Sequence, residues 1–105
     1  MKEQFKDLEL TRNEDQKRFE MELGGYFAFI NYGEMGSQIA LVHTETDPEL
    51  ASTGAAAAVV EKTLQWIEDN NKTLLPFCPF VFEYIRTHPD WKRIVDPRFK
   101  GYDKL

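Results

Sequence analysis

Apolar and polar positions alternate with a period of two through the first part of the chain. The period changes to that of a helix beyond Ala56. Leu8 and Leu10 stand against Asp7, Glu9 and Thr11, which predicts a half-buried strand over residues 6–11. Arg12 to Gln16 is polar and predicts a turn. Phe19, Met21 and Leu23 alternate with Arg18, Glu20 and Glu22 as a second strand, and Gly24-Gly25 supplies a tight hairpin. Tyr26 to Tyr32 is apolar on both faces, the pattern of a central strand in a sheet covered on both sides. Gly33 to Gly36 predicts another turn. Ser37 to Thr44 predicts a fourth strand, apolar through Ile39, Ala40, Leu41 and Val42. Four strands joined by short turns make an antiparallel meander.

Ala56, Val59, Val60, Thr63, Leu64 and Ile67 then share one helical face, with Glu61, Lys62, Gln65, Glu68 and Asp69 on the other. Asn70-Asn71 ends this helix, and Lys72 to Phe77 predicts a fifth strand. Strand, helix and strand form a crossover, so strands four and five should be parallel. Pro79 suits the first position of a second helix, where its missing N–H costs nothing, and this puts Cys78 at the cap. His88-Pro89 stops that helix, and Asp90 to Val95 forms a short turn that can bury Trp91, Ile94 and Val95. The predicted class is α+β: a mostly antiparallel five-stranded sheet with one βαβ unit.

The chain has 105 residues, enough for one domain with its own core, expected to span 1–105 with residues 100–105 as a loose tail. A hydrophobic content of 42% argues against disorder. The net charge of −5, with no basic run or aromatic-basic stripe, argues against a nucleic-acid or anionic-membrane surface. The N-terminus lacks the apolar segment of a signal peptide, and the apolar run from Leu74 to Phe82 is short and broken by Pro76 and Pro79. The single cysteine allows no internal disulfide. A cytoplasmic setting is the simplest expectation.

Chemistry is expected beyond the carboxyl ends of the two parallel strands, where ligands bind in βαβ units. Three stretches should converge there: Val42-His43-Thr44, the small-residue loop from Ser52 to Ala56, and Cys78. The first N–H groups of a helix have no partner within it and carry partial positive charge. Small residues at Ser52, Gly54, Ala55 and Ala56 let phosphates reach that bare backbone. The plainer alternative is a connection whose small residues let the helix sit close on the sheet. Cys78 is a candidate reactive thiol because a helix N-terminus activates cysteine, although a lone cysteine is more often a small buried hydrophobe. His43 is a candidate base for it if the two strand ends are neighbours, against the simpler role of a hydrogen-bonded strand end. His88 suits a helix end. No paired ligand spacing supports a metal. Glu45, Asp47 and Glu49 flank the loop, either as a general base or, more simply, as a solvated acidic loop that opposes an anionic ligand.

Four pieces of sequence together carry a resemblance: Val42-His-Thr-Glu-Thr-Asp-Pro-Glu-Leu50, Gly54-Ala-Ala56, Leu75-Pro-Phe-Cys-Pro-Phe-Val81 and Thr87-His-Pro-Asp-Trp91. In order and spacing they resemble a minimal branch of the GNAT superfamily of N-acetyltransferases, with its His-Thr strand end and its Pro-x-Cys-x-x-Val element. The resemblance runs from about Phe19 to Phe99. It implies an acetyl-CoA site in which strands four and five splay apart. The pantetheine arm would bond to the backbone of Leu41, Val42, His43 and Thr44. The pyrophosphate would rest on Ala51, Ser52, Thr53, Gly54, Ala55 and Ala56, and Cys78 would lie near the acyl group. The family loop usually begins with Arg or Gln and has Gly at its second position, where this chain has Ala51 and Ser52. The implied activity is acetyl transfer from acetyl-CoA, a small-molecule acyl donor, to an amine acceptor. The acceptor is a small amine, peptide or protein, and its side of the site should be open in so short a chain. Two alternatives share the fold: a non-catalytic acetyl-CoA or CoA-binding module, and a partner-binding scaffold using Phe80, Phe82 and Tyr84.

Overall fold

A computed structural model describes all 105 residues. The chain opens with a single helical turn, α1 (Glu3–Lys6), followed by strands β1 (Thr11–Asn13), β2 (Arg18–Leu23), β3 (Tyr26–Met35) and β4 (Gln38–Thr46). A 3-10 turn at Pro48–Leu50 leads into helix α2 (Ala55–Asp69), then strand β5 (Thr73–Pro76) and helix α3 (Pro79–Thr87). Two further 3-10 turns, Pro89–Ile94 and Tyr102–Lys104, complete the chain. The sheet order is β1-β2-β3-β4-β5, antiparallel except for the parallel pair β4–β5. The expected meander with one crossover, and with it the α+β class, is what the chain builds. No helix is long and apolar enough to cross a membrane.

The core lies between one face of the sheet and the helices. Phe19 and Met21 of β2, Ala28 and Ile30 of β3, and Ile39 and Leu41 of β4 are buried there. They meet Val59, Val60, Leu64 and Ile67 of α2 and Val81 and Ile85 of α3. Alternation in the strands and 3.6-residue spacing in the helices bring these side chains to one side. Helices α2 and α3 are tied together by Glu61, which accepts hydrogen bonds from the Tyr84 hydroxyl and from Trp91 Nε1, the latter at 3.2 Å.

Three local expectations are corrected. The first strand is Thr11–Asn13 rather than 6–11, and Glu3–Lys6 is a helical turn that inserts the fully buried Phe5 into the core. Arg12 pins the strand in its place. Its Nε donates to the Tyr32 hydroxyl at 2.9 Å, its Nη2 meets Glu34, and its guanidinium lies 5.0 Å from the Trp66 ring. The turn predicted at Gly33 to Gly36 shrinks to Gly36-Ser37, because Gly33 and Glu34 stay paired with Ala40 and Ile39. Glu34 is held there by Arg12 and by Lys72, 3.3 Å away. The sheet is covered by helices on one face only. On the outer face Phe27, Phe29 and Asn31 are half-buried and His43 and Glu45 are exposed, with Arg18 lying 4.2 Å over the Phe29 ring. The apolar run in β3 thus reflects local shielding by a neighbouring side chain as well as core packing.

The C-terminal segment closes the β5 edge. Val95 bridges Leu74, the Asp96 N–H donates to the Leu74 carbonyl at 3.0 Å, and Phe99 packs edge-on to Phe77. Tyr102 and Leu105 are partly buried against the core.

Candidate active site

Strands β4 and β5 pair from Gln38–Thr73 to Leu41–Pro76 and then part. Thr73 donates to the Ser37 carbonyl while Leu74 accepts from Asp96 on the far edge, so the even residues of β5 turn their nitrogen away from β4 and the missing N–H of Pro76 costs no ladder bond. The next amide, that of Phe77, turns back onto the Leu75 carbonyl at 3.0 Å. The Cys78 N–H makes the last link, to the Leu41 carbonyl at 2.8 Å, and α3 then leaves the sheet. Meanwhile β4 runs on to Thr46, so a gap opens between its far half and the start of α3.

A bulge decides what faces this gap. Asn31 pairs with His43 and Tyr32 with Leu41, which leaves Val42 as the extra residue on β4. Inward-facing positions run Ile39, Leu41 before the bulge and Thr44, Thr46 after it. The shift of one residue turns every later side chain to the opposite face. Asp47 N–H donates to the Phe27 carbonyl at 2.8 Å, so by alternation the odd residues beyond the bulge bond β3. The N–H and C=O of Thr44 then point toward the edge that β5 has left.

The side chain that meets Cys78 is therefore Thr44, its Oγ1 3.3 Å from Sγ. The His43 ring lies on the outer side, its Nε2 3.1 Å from Glu45 Oε1. The structure thus brings Leu41, Thr44 and Cys78 together and turns His43 away from the thiol. Cys78 is buried and caps α3 in an extended conformation. Val42, Phe77 and Phe80 stand exposed around the gap.

The loop before α2 is built from two left-handed residues, Ser52 at φ 63° and Gly54 at φ 94°. Thr53 folds back on the loop. Its hydroxyl donates to the Leu50 carbonyl and accepts the Ala55 N–H at 3.3 Å. The Ala58 N–H closes the first helical bond to Gly54. The N–H groups of Ala56 and Ala57 have no protein partner, as expected for a helix start. The neighbouring carboxylates do not claim them. Asp47 accepts the Phe27 N–H at 2.8 Å and so extends the β3–β4 pairing, and Glu45 faces His43. Loop acids that would oppose an anion are thus partly committed elsewhere.

A cation stands where sequence reasoning had found none. Lys2 lies across the start of α2, and a Cβ built on Gly54 would sit 3.5 Å from its Cε and 3.8 Å from its Nζ. Nothing in the sequence signals this contact, because Lys2 and Gly54 meet only after Phe5 is inserted into the core. The His, Cys, Asp and Glu side chains gather into no group of three that could hold a metal ion.

A family model described as GCN5-related N-acetyl-transferase matches residues 18–94. The chain belongs to the GCN5-related N-acetyltransferases. No individually curated protein matches it. Membership assigns acetyl transfer in general terms, and acyl-CoA donors are general in the GCN5-related N-acetyltransferases. The match spans β2 to the end of the Pro89–Ile94 turn and leaves out the segment that carries Lys2. In this GCN5-related N-acetyltransferase the arm over the α2 start therefore comes from outside the matched region.

Proposed function

We propose that the chain transfers an acetyl group from acetyl-CoA to an amine. The observation that carries this reading is the open edge of β4 beyond Leu41, directly beside a helix start with unpaired amides and small side chains. An extended thioester arm can add to that edge as a strand would, bonding the backbone of Thr44, since the Leu41 carbonyl is taken by Cys78 and His43 pairs with β3. The diphosphate end would then reach the amides of Ala56 and Ala57, where a helix N-terminus favours negative charge. Gly54 and the alanines that follow keep that approach clear. The amine nitrogen attacks the thioester carbonyl carbon, the C–S bond breaks, and the proton released by nitrogen ends on the leaving thiol. A backbone N–H in the gap polarises the carbonyl, a contribution of the oxyanion-hole kind. Cys78, bonded to Thr44, is the side chain closest to this chemistry that can accept an acyl group. The acceptor approaches from the unroofed side, where tight turns, not helices, join β1 to β4.

The test is an amide-detected titration with acetyl-CoA, followed by transfer assays on a panel of small amines and lysine peptides. Residues 42–44 and 52–57 should shift together. Scattered surface shifts at millimolar ligand would overturn the assignment. Saturable binding with no transfer to any amine would make this a binding module. If Cys78→Ala transfers at the wild-type rate, the thiol has no covalent part.

A further inference from the structure

The chain carries a net charge of −5, yet one groove on its surface is lined by three lysines and a single carboxylate. The groove, about 1090 Å³, lies between the N-terminal segment, α2 and α3. Its carboxylate, Glu61, is already engaged by Tyr84 and Trp91. Lys6 is offset by Glu3 at 3.6 Å, but Lys2 and Lys62 have no acidic partner within ion-pair distance. The one hydrogen bond made by the Lys62 ammonium is to the backbone carbonyl of Lys6, at 3.2 Å. The groove begins at Gly54, beside the unpaired amides of α2, and runs past Ala57 and Ala58 to Lys62. Eight residues of α-helix separate its ends, about 12 Å at 1.5 Å per residue. The stacked rings of Tyr84 and His88, 4.0 Å apart, form the facing wall.

We infer that this groove recognises the 3′-phosphate on the nucleotide end of the thioester, with Lys2 and Lys62 as the specificity-determining cations. The inference rests on the acetyl-CoA reading above and goes beyond it. Lys2 adds charge beside the loop position where Ala51 supplies none. Lys62 extends the positive field along α2 toward a phosphate one ribose away from the diphosphate. Such contacts are exposed, so they select a charge and are weakened by salt.

The experiment is calorimetry on the full chain at low ionic strength, with CoA and with 3′-dephospho-CoA as separate ligands. Wild type should prefer CoA by roughly tenfold, the size expected of two exposed charge contacts. The double variant Lys2→Gln/Lys62→Gln should lose that preference, its CoA affinity falling to the level of its 3′-dephospho-CoA affinity. Both side chains are on the surface, and an unchanged circular dichroism melt verifies the fold. Equal wild-type affinity for the two ligands, or a preference that survives the double substitution, overturns this inference and leaves the acetyl-CoA reading intact. Failure of wild type to bind either ligand overturns the acetyl-CoA reading itself.

Discussion

Gly54→Ala isolates the loop on which ligand binding depends. Gly54 sits at φ 94°, ψ 6°, well away from the left-handed basin near φ +57° that an L-residue can occupy. Space is not the obstacle, since the added methyl would stand in ordinary contact with Lys2 Cε at 3.5 Å. The cost is backbone strain, about 1–2 kcal/mol for an L-residue held there. At about 4–8 °C per kcal/mol for a domain of this size, Tm should fall by roughly 4–16 °C. The methyl also stands at the start of α2, where the diphosphate is to approach the amides. Loss of about 1.4 kcal/mol there would weaken CoA binding by about tenfold. Ser52→Gly is the matched control. Ser52 lies at φ 63°, inside the left-handed basin. Its relief is therefore small and is offset by the greater freedom of glycine in the unfolded chain. Its Tm should stay level or rise slightly. Thermal melts and CoA calorimetry read both variants. A Gly54→Ala protein with wild-type Tm and wild-type affinity would refute the reasoning on both counts.

Two further substitutions test the frame that holds the site. Leu64 of α2 is fully buried, so Leu64→Ala should cost about 2–5 kcal/mol in denaturant unfolding. A loss under about 1 kcal/mol would mean that α2 is not packed as described. Asp96 is buried and accepts bonds from the Arg98 guanidinium at 3.0 Å, the Arg98 N–H at 2.9 Å and Gln38 at 2.7 Å. The Arg98 side chain above all, then the Arg98 N–H and Gln38, hold its carboxyl well below the usual range. A depressed carboxylate stabilises the fold above its unfolded value near ~4 and loses that contribution as pH falls toward the folded value. Wild-type stability should therefore decline as pH is lowered from about 4, and Asp96→Asn should decline less steeply; parallel acid profiles would refute the assignment.

The alternation in Phe19–Leu23, the paired glycines and the helical spacing from Ala56 to Ile67 were enough to specify the meander, the crossover and the parallel β4–β5 pair. Those signals are local: each depends on neighbours a few residues away, and burying one face of each element leaves few ways to assemble them. The cap at Cys78 was equally legible, because Pro79 marks a helix start whatever lies around it. The site was legible only as a list of stretches. Which residue of Val42-His43-Thr44 faces the thiol depends on a one-residue bulge against β3, and a bulge is set by the partner strand. It places Thr44, not His43, on Cys78. Asp47, expected to flank the loop as a base or a solvated acid, instead accepts the Phe27 N–H, twenty positions away. The first strand moved to Thr11–Asn13 because Arg12 finds Tyr32, Glu34 and Trp66, none of them near it in sequence. Lys2 reaches Gly54 across half the chain. Periodicity is written in the order of residues, but the charge and the donors at the site come from contacts that exist only once the core has closed.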